Sequence, residues 1–498
     1  MASLFLRLDS NGPRFRQLYR ALRGAIVDGT LAPGAKLPAT RALAAELGVS
    51  RTTVLLAFEH LAAEGYLQGR HGSGSYVQAA PAPAPRPASR RAAERPPALS
   101  AFGAALAGRR RPLFSGYVSE RPQLPYDFRY GAPSMHDFPL RAWQRCLGRR
   151  ARRAAARAYD YGHRQGSPAL RAALAGYLRR ARGIACEPDE LLIVNGSQQA
   201  LDLAARVLLD RGDAAVVEEP GFEGARNAFR AAGATLVPAA VDDEGLDPAV
   251  LDGAGRDARL AYVTPSHQYP LGGVMPYRRR VALLDWAARG ERWVVEDDYD
   301  GEFRYGGRPL EALKALDQRQ RVLYVATFSK VMFPALRIGY VVLPPGLVEP
   351  LVRAKAIADG GSPLLEQDAL ADFIGSGDFE RHLRRSRARI GARRAALLTA
   401  LDAELGDAVE LCGANAGMHL VAWLRGVPAT QVGALARAAA AVGVGIYPVS
   451  AYYETPPSRA GLLLGYAALE ERDIRAGVKR LAGLLPAATS RRRRRPTG

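Results

Sequence analysis

The stretch Val325–Val342, VATFSKVMFPALRIGYVV, decides how most of the chain is read. It opens on a β-branched run and passes the hydroxyls of Thr327 and Ser329 to reach Lys330. It closes on a second strand-like run headed by Arg337. A lysine among apolar residues costs free energy unless its charge is paired or its amine is used chemically. Two strand-like runs joined by a short polar connection place Lys330 just beyond the end of the first.

The same texture extends on both sides. LLIVNG (191–196), AAVVEEP (214–220), RLAYVTP (259–265), RWVVEDDY (292–299) and RIGYVVLP (337–344) are short β-rich runs that stop at Gly, Pro or polar residues. Ala-, Arg- and Leu-rich stretches of helical period separate them. Strands alternating with helices predict an α/β unit, a mostly parallel sheet covered on both faces. Ligands of such sheets bind beyond the C-terminal ends of the strands.

Those ends carry a consistent chemistry. A neutral lysine amine forms a Schiff base with an aldehyde, and pyridoxal phosphate is the aldehyde cofactor that uses one. Its pyridinium needs a carboxylate, and Asp297 is the candidate, with Tyr299 on the same side of an extended segment. Its phosphate needs an anion cradle. Gly196, Ser197 and Gln198 open a helix after a strand, Thr327 and Ser329 add hydroxyls, and Arg337 adds a guanidinium fork. Phe222 is placed to stack on the ring, and His267 and Gln268 to reach its hydroxyl. Each of these residues alone has an ordinary structural reading; their order along the chain is what points to a site.

Residues 14–77 have a different texture. Phe15, Leu18, Leu22 and Ile26 fall at helical spacing. Thr40 is placed to cap a second helix that stops at Gly48, and Ser50 a third, RTTVLLAFEHLAAEG. Two short helices joined by LGVS make a helix-turn-helix pattern, and GYLQGRHGSGSYV reads as a hairpin wing. The formal net charge of +20 favours a polyanionic partner, with nucleic acid first. The three cysteines are scattered, with no metal spacing among them, and suit a reducing cytoplasm. No apolar run is long enough to span a bilayer, and no secretory leader is apparent. Neither a membrane nor a metal is expected.

KLPATRALAAELGVSRTTVLLAFEHLAAEGYL resembles the winged-helix domain of the GntR family of bacterial regulators. The ordered set around TFSK…R and EDDYD resembles fold type I aminotransferases, which implies a small C-terminal α+β part beside the mostly parallel sheet. Their fusion is similar to the MocR subfamily. That resemblance implies Arg41, Ser50, Arg51, Thr52 and Thr53 on a double-stranded DNA operator, with Arg70, His71 and Gly72 at the wing tip. Leu55 departs from the further basic contact of some relatives. The resemblance also implies a homodimer, with Tyr159 or Tyr161 near a neighbouring site, and a small amino compound or pyridoxal phosphate itself as effector. In the aminotransferases an arginine in a segment like LRISFA often reads the substrate carboxylate; here Leu463 stands in that place, and Arg459 and Arg226 are the alternatives. A transcriptional regulator is therefore expected, with a working aminotransferase carrying an accessory head as the other function class. The expected layout is a winged helix over 1–77, a Pro/Ala/Arg-rich semi-extended linker over 78–122, the aminotransferase-like unit over 123–486 and a basic tail over 487–498.

Overall fold

A computed structural model describes residues 12–70, 73–79, 98–107, 124–131, 133–153, 162–306 and 311–485. The chain divides into two compact units, residues 1–100 and 101–498.

In the first unit, α1 (Arg14–Val27), α2 (Thr40–Leu47) and α3 (Arg51–Ala63) precede an antiparallel hairpin of β1 (Leu67–Arg70) and β2 (Gly74–Val77). Leu18, Leu22, Leu43, Val54, Phe58, Leu61 and Val77 bury a common core. Gly48 ends α2 at φ +63, the left-handed conformation in which glycine carries no Cβ penalty. Ser50 caps α3, its Oγ accepting the Thr53 amide at 3.1 Å. Thr40 is not a cap: the helix begins at that residue, Ala39 holds the cap position, and no side chain serves it.

The second unit opens with α4 (Ala101–Ala107). This helix lies inside the segment expected to be a semi-extended linker. Residues 101–107 hold no proline and are mostly alanine, so helix propensity prevails locally. The rest of that segment beyond residue 79, apart from residues 98–100, and the basic tail lie outside the described residues. A short strand, β3 (Tyr126–Asp127), α5 (Leu140–Arg153) and α6 (Pro168–Arg182) follow.

The main sheet contains β4 (Leu191–Val194), β5 (Ala214–Glu219), β6 (Thr235–Asp242), β7 (Gly245–Leu246), β8 (Leu260–Val263), β9 (Trp293–Asp298), β10 (Val322–Thr327) and β11 (Gly339–Val342). Their order is β4-β11-β10-β9-β8-β5-β6-β7. The run from β10 to β6 is parallel, while β11 is antiparallel to both its neighbours. Alternate residues of one strand enter different cores. Leu323 and Val325 pack toward α7 (Ser197–Leu208) and α8 (Glu223–Ala231), whereas Tyr324 and Ala326 pack toward α6 and the helix Asp378–Leu405. Both faces are covered, which is why these strands read as continuous apolar runs. Beyond them, β12 (Val409–Cys412), β13 (His419–Pro428), β15 (Tyr447–Pro448) and β16 (Arg459–Gly465) form a four-stranded antiparallel sheet. Between β13 and β15, β14 (Val444–Gly445) pairs with β3.

Candidate functional site

A cavity of about 470 Å³ opens at the C-terminal ends of β8, β9 and β10. Strand alternation sorts the acidic run of β9. Glu296 accepts the amides of Leu313 and Lys314 at 2.7 and 2.8 Å, and Asp298 pairs with Arg182 and accepts the Tyr324 hydroxyl at 2.6 Å. Asp297 lines the cavity instead. Its Oδ2 accepts the Tyr262 hydroxyl at 2.8 Å; its Oδ1 is buried and has no hydrogen-bond partner among the described residues. Burial pushes this carboxyl up to about 7, and the Tyr262 hydrogen bond offsets only part of that rise. A cationic N–H facing Oδ1 would restore the charged form.

Lys330 stands in the wall of the same cavity, 4% exposed. Its Nζ donates to the Gly131 carbonyl at 3.3 Å and lies 4.7 Å from the centroid of the Tyr130 ring. Thr327 Oγ1 donates to Ser329 Oγ at 3.0 Å, and both residues line the wall. Ser197 and Gln198 begin α7 at the rim. Gly196, the cap of that helix, has φ +83, and a Cβ there would sit 2.9 Å from the Arg337 guanidinium. Arg337 itself is held at φ +52, a conformation rare for a side chain of its size, and donates to the Asn195 carbonyl at 2.7 Å. Helix amides, hydroxyls and a guanidinium together make an anion cradle. Phe222 and Tyr299 complete the aromatic wall. An amine, a buried acid with a vacant acceptor, an anion cradle and aromatic faces are the donor set that pyridoxal phosphate requires.

Gly196 does not itself line the cavity, and four further expected residues are not brought to it. His267 bonds Asp300 through Nδ1 at 3.2 Å. Gln268 donates to Glu218 and to the carbonyls of Pro220 and Tyr269. Arg226 is buried between Glu219, at 3.0 Å, and Glu454, at 3.4 Å, and donates to the Tyr452 carbonyl at 2.8 Å. Arg459 pairs with Glu410 at 2.7 Å and lies over Trp423. Partners distant in sequence hold all four away from the cavity. Leu463 is buried beside Tyr269 and Tyr299. Sequence reasoning missed Tyr130, Tyr262, Tyr269, Pro334 and Ala335 in the wall. Tyr262 carried a signal, because a tyrosine inside a buried strand needs a partner for its hydroxyl, and β9 supplies Asp297. Tyr159 and Tyr161 lie outside the described residues.

On the first unit, Arg41, Arg51, Thr52 and Arg70 are exposed. Ser50 and Thr53 bond each other at 2.8 Å in capping α3. Arg70 lies over Tyr76 at 4.8 Å, and His71 and Gly72 lie outside the described residues.

Comparison with known proteins reproduces this division. The bacterial regulatory proteins of the gntR family match residues 15–77, and aminotransferases of class I and II match residues 136–481. The probable rhizopine catabolism regulatory protein MocR of Rhizobium meliloti is 40% identical over 96% of this chain and 95% of its own. The chain belongs to the MocR subfamily of GntR regulators. Another relative, the transcriptional regulator TauR of Rhodobacter capsulatus, is 33% identical over 97% of this chain and 99% of its own. Among solved structures, the α-aminoadipate aminotransferase LysN of Thermus thermophilus, complexed with N-(5'-phosphopyridoxyl)-L-leucine, is 32% identical. It matches with a TM-score of 0.66 over 72% of this chain and 91% of its own. The second unit of this MocR-type chain thus has the fold of a pyridoxal-phosphate-dependent family, and its first unit that of a DNA-binding domain.

Proposed function

We propose that this cytoplasmic transcriptional regulator works as a homodimer. The first unit holds an operator, and the second holds pyridoxal phosphate and responds to an amino compound or to the cofactor itself. The observation that carries the reading is a GntR-type head in the same chain as a cavity lined by Lys330, Asp297 and Arg337. When bound, pyridoxal phosphate supplies an electrophilic aldehyde on an electron-withdrawing ring. Lys330 Nζ is the amine that holds the aldehyde. Asp297 Oδ1 accepts the ring N–H, and Tyr262 holds Oδ2 so that the carboxylate keeps its orientation. Arg337, Thr327, Ser329 and the first amides of α7 bind the phosphate, while Phe222 excludes water from one side of the ring. An effector that binds one arrangement of the dimer better shifts the heads by its differential affinity and no more.

The proposed boundaries are a head over 1–77, a connecting segment over 78–122, a sensor unit over 123–486 and a tail over 487–498. The test is a visible absorption titration of the purified protein with pyridoxal phosphate and a panel of amines and amino acids, followed by operator binding with any compound that shifts the band. A band that shifts, persists and changes operator affinity supports a sensor. Multiple turnovers with an amino donor and a keto acceptor would instead make the chain a working aminotransferase.

A further inference from the structure

The phosphate side of the cavity is held from behind by charges that do not reach it. Asn195 forms the turn between β4 and α7, and all of its polar groups are engaged. Its amide donates to Gln199 Oε1 at 2.8 Å, and its carbonyl accepts Arg337 at 2.7 Å. Its Nδ2 donates to Asp359 at 3.0 Å, and its Oδ1 accepts the Ser362 hydroxyl at 3.0 Å. Gln199 also donates to Asp359, at 2.8 Å. Asp359 ends the helix Pro345–Asp359, where it accepts Lys355 Nζ at 2.9 and 2.7 Å and the Gly361 amide at 2.9 Å. Lys355 is wholly buried and gives its remaining bond to Ser362 at 2.9 Å.

We infer that Asp359, with Lys355 as its counter-ion, is a positioning residue for the anion cradle. The inference rests on the pyridoxal phosphate reading above. None of Asp359, Lys355 and Asn195 lines the cavity, so they act through Arg337 and the start of α7. Lys355 is buried and Asp359 is only partly so, and such an ion pair contributes little net stability compared with an apolar pair of the same volume. It does fix geometry. Here it fixes the Asn195 turn whose carbonyl aims Arg337 and whose next residue, Gly196, packs against that guanidinium. Loss of the carboxylate frees the turn to rotate, which moves the helix amides and the fork together.

The experiment compares equilibrium binding of pyridoxal phosphate with that of pyridoxal, which has the aldehyde and ring but no phosphate. Asp359→Ala is expected to weaken pyridoxal phosphate binding roughly tenfold or more, as loss of hydrogen bonds to a charged group implies, and to leave pyridoxal within about twofold. Because an unpaired Lys355 can unfold the protein, Asp359→Leu combined with Lys355→Met removes both charges, and the same phosphate-selective loss is expected. Unchanged affinities, or equal losses for both ligands in a folded variant, overturn the role of Asp359. Wild-type protein that binds the two ligands equally overturns the cradle reading itself, and this inference with it.

Discussion

Among the described residues Asp297 has one carboxylate oxygen paired and one unpaired, and its burial has a pH signature. Its folded-state value of about 7 lies above the ordinary carboxyl range because it is buried. The folded protein without cofactor therefore holds a proton there that the unfolded chain releases. The stability tied to that proton is present below the unfolded value and lost as pH rises through about 7. Asp297→Asn is expected to show a smaller fall in melting temperature between pH 6 and 8 than the unsubstituted cofactor-free protein; an equal fall would assign the effect to Glu218, Glu296 and Glu302, which burial raises similarly. Lys330→Ala is expected to lose covalent attachment of pyridoxal phosphate, read by borohydride reduction and mass spectrometry, with an unchanged circular dichroism spectrum. Lys330 and Asp297 were legible in the sequence because each ends a β-branched run, where local order alone indicates the strand's mouth. His267 and Gln268 also end such a run. Their outcome depended on Asp300 and Glu218, which only the folded sheet brings near.

At the scale of elements, α3 offers the cleanest tests. Ser50→Ala removes the cap on the Thr53 amide and is expected to cost about 1 kcal/mol of first-unit stability, measurable by denaturant titration. Arg51→Ala, at the exposed start of α3, is expected to weaken operator binding and to reduce the salt slope by about one, with cofactor binding untouched. Unchanged operator affinity would remove α3 from the contact surface. These elements were readable because glycine and serine punctuate them: Gly48 and Ser50 mark one end and one start. Thr40 misled for the same reason, since a hydroxyl at a helix start resembles a cap whether it precedes the first turn or opens it. The helix Ala101–Ala107 was hidden by the prolines around it.

At the scale of the whole molecule, two units with separate cores predict two melting transitions. Ligand that binds one folded unit stabilises that unit alone. Pyridoxal phosphate at a hundred times its dissociation constant is expected to stabilise the second unit by about 2.7 kcal/mol and to leave the first transition in place, as calorimetry would show. A shift of both transitions would mean that the two cores unfold as one. The α/β class and the two-part layout were legible because alternating strands and helices and the change in texture after residue 77 survive in composition. The antiparallel setting of β11 was not, because an apolar run carries no sign of its direction.

That setting joins β10 to β11 through a single connection that carries both Lys330 and Arg337. On the proposed reading, one stretch of backbone would anchor the cofactor at its covalent end and at its ionic end. Lys330 is buried and Arg337 is exposed, but Leu336 and Ile338 on either side of Arg337 are buried, so trypsin reaches the bond after Arg337 only when the connection opens locally. A cut at that bond would leave the lysine on one fragment and the sheet's next strand on the other. Phosphate on the guanidinium would shield the bond, making the lifetime of this peptide under digestion a clock for how long the cavity stays filled.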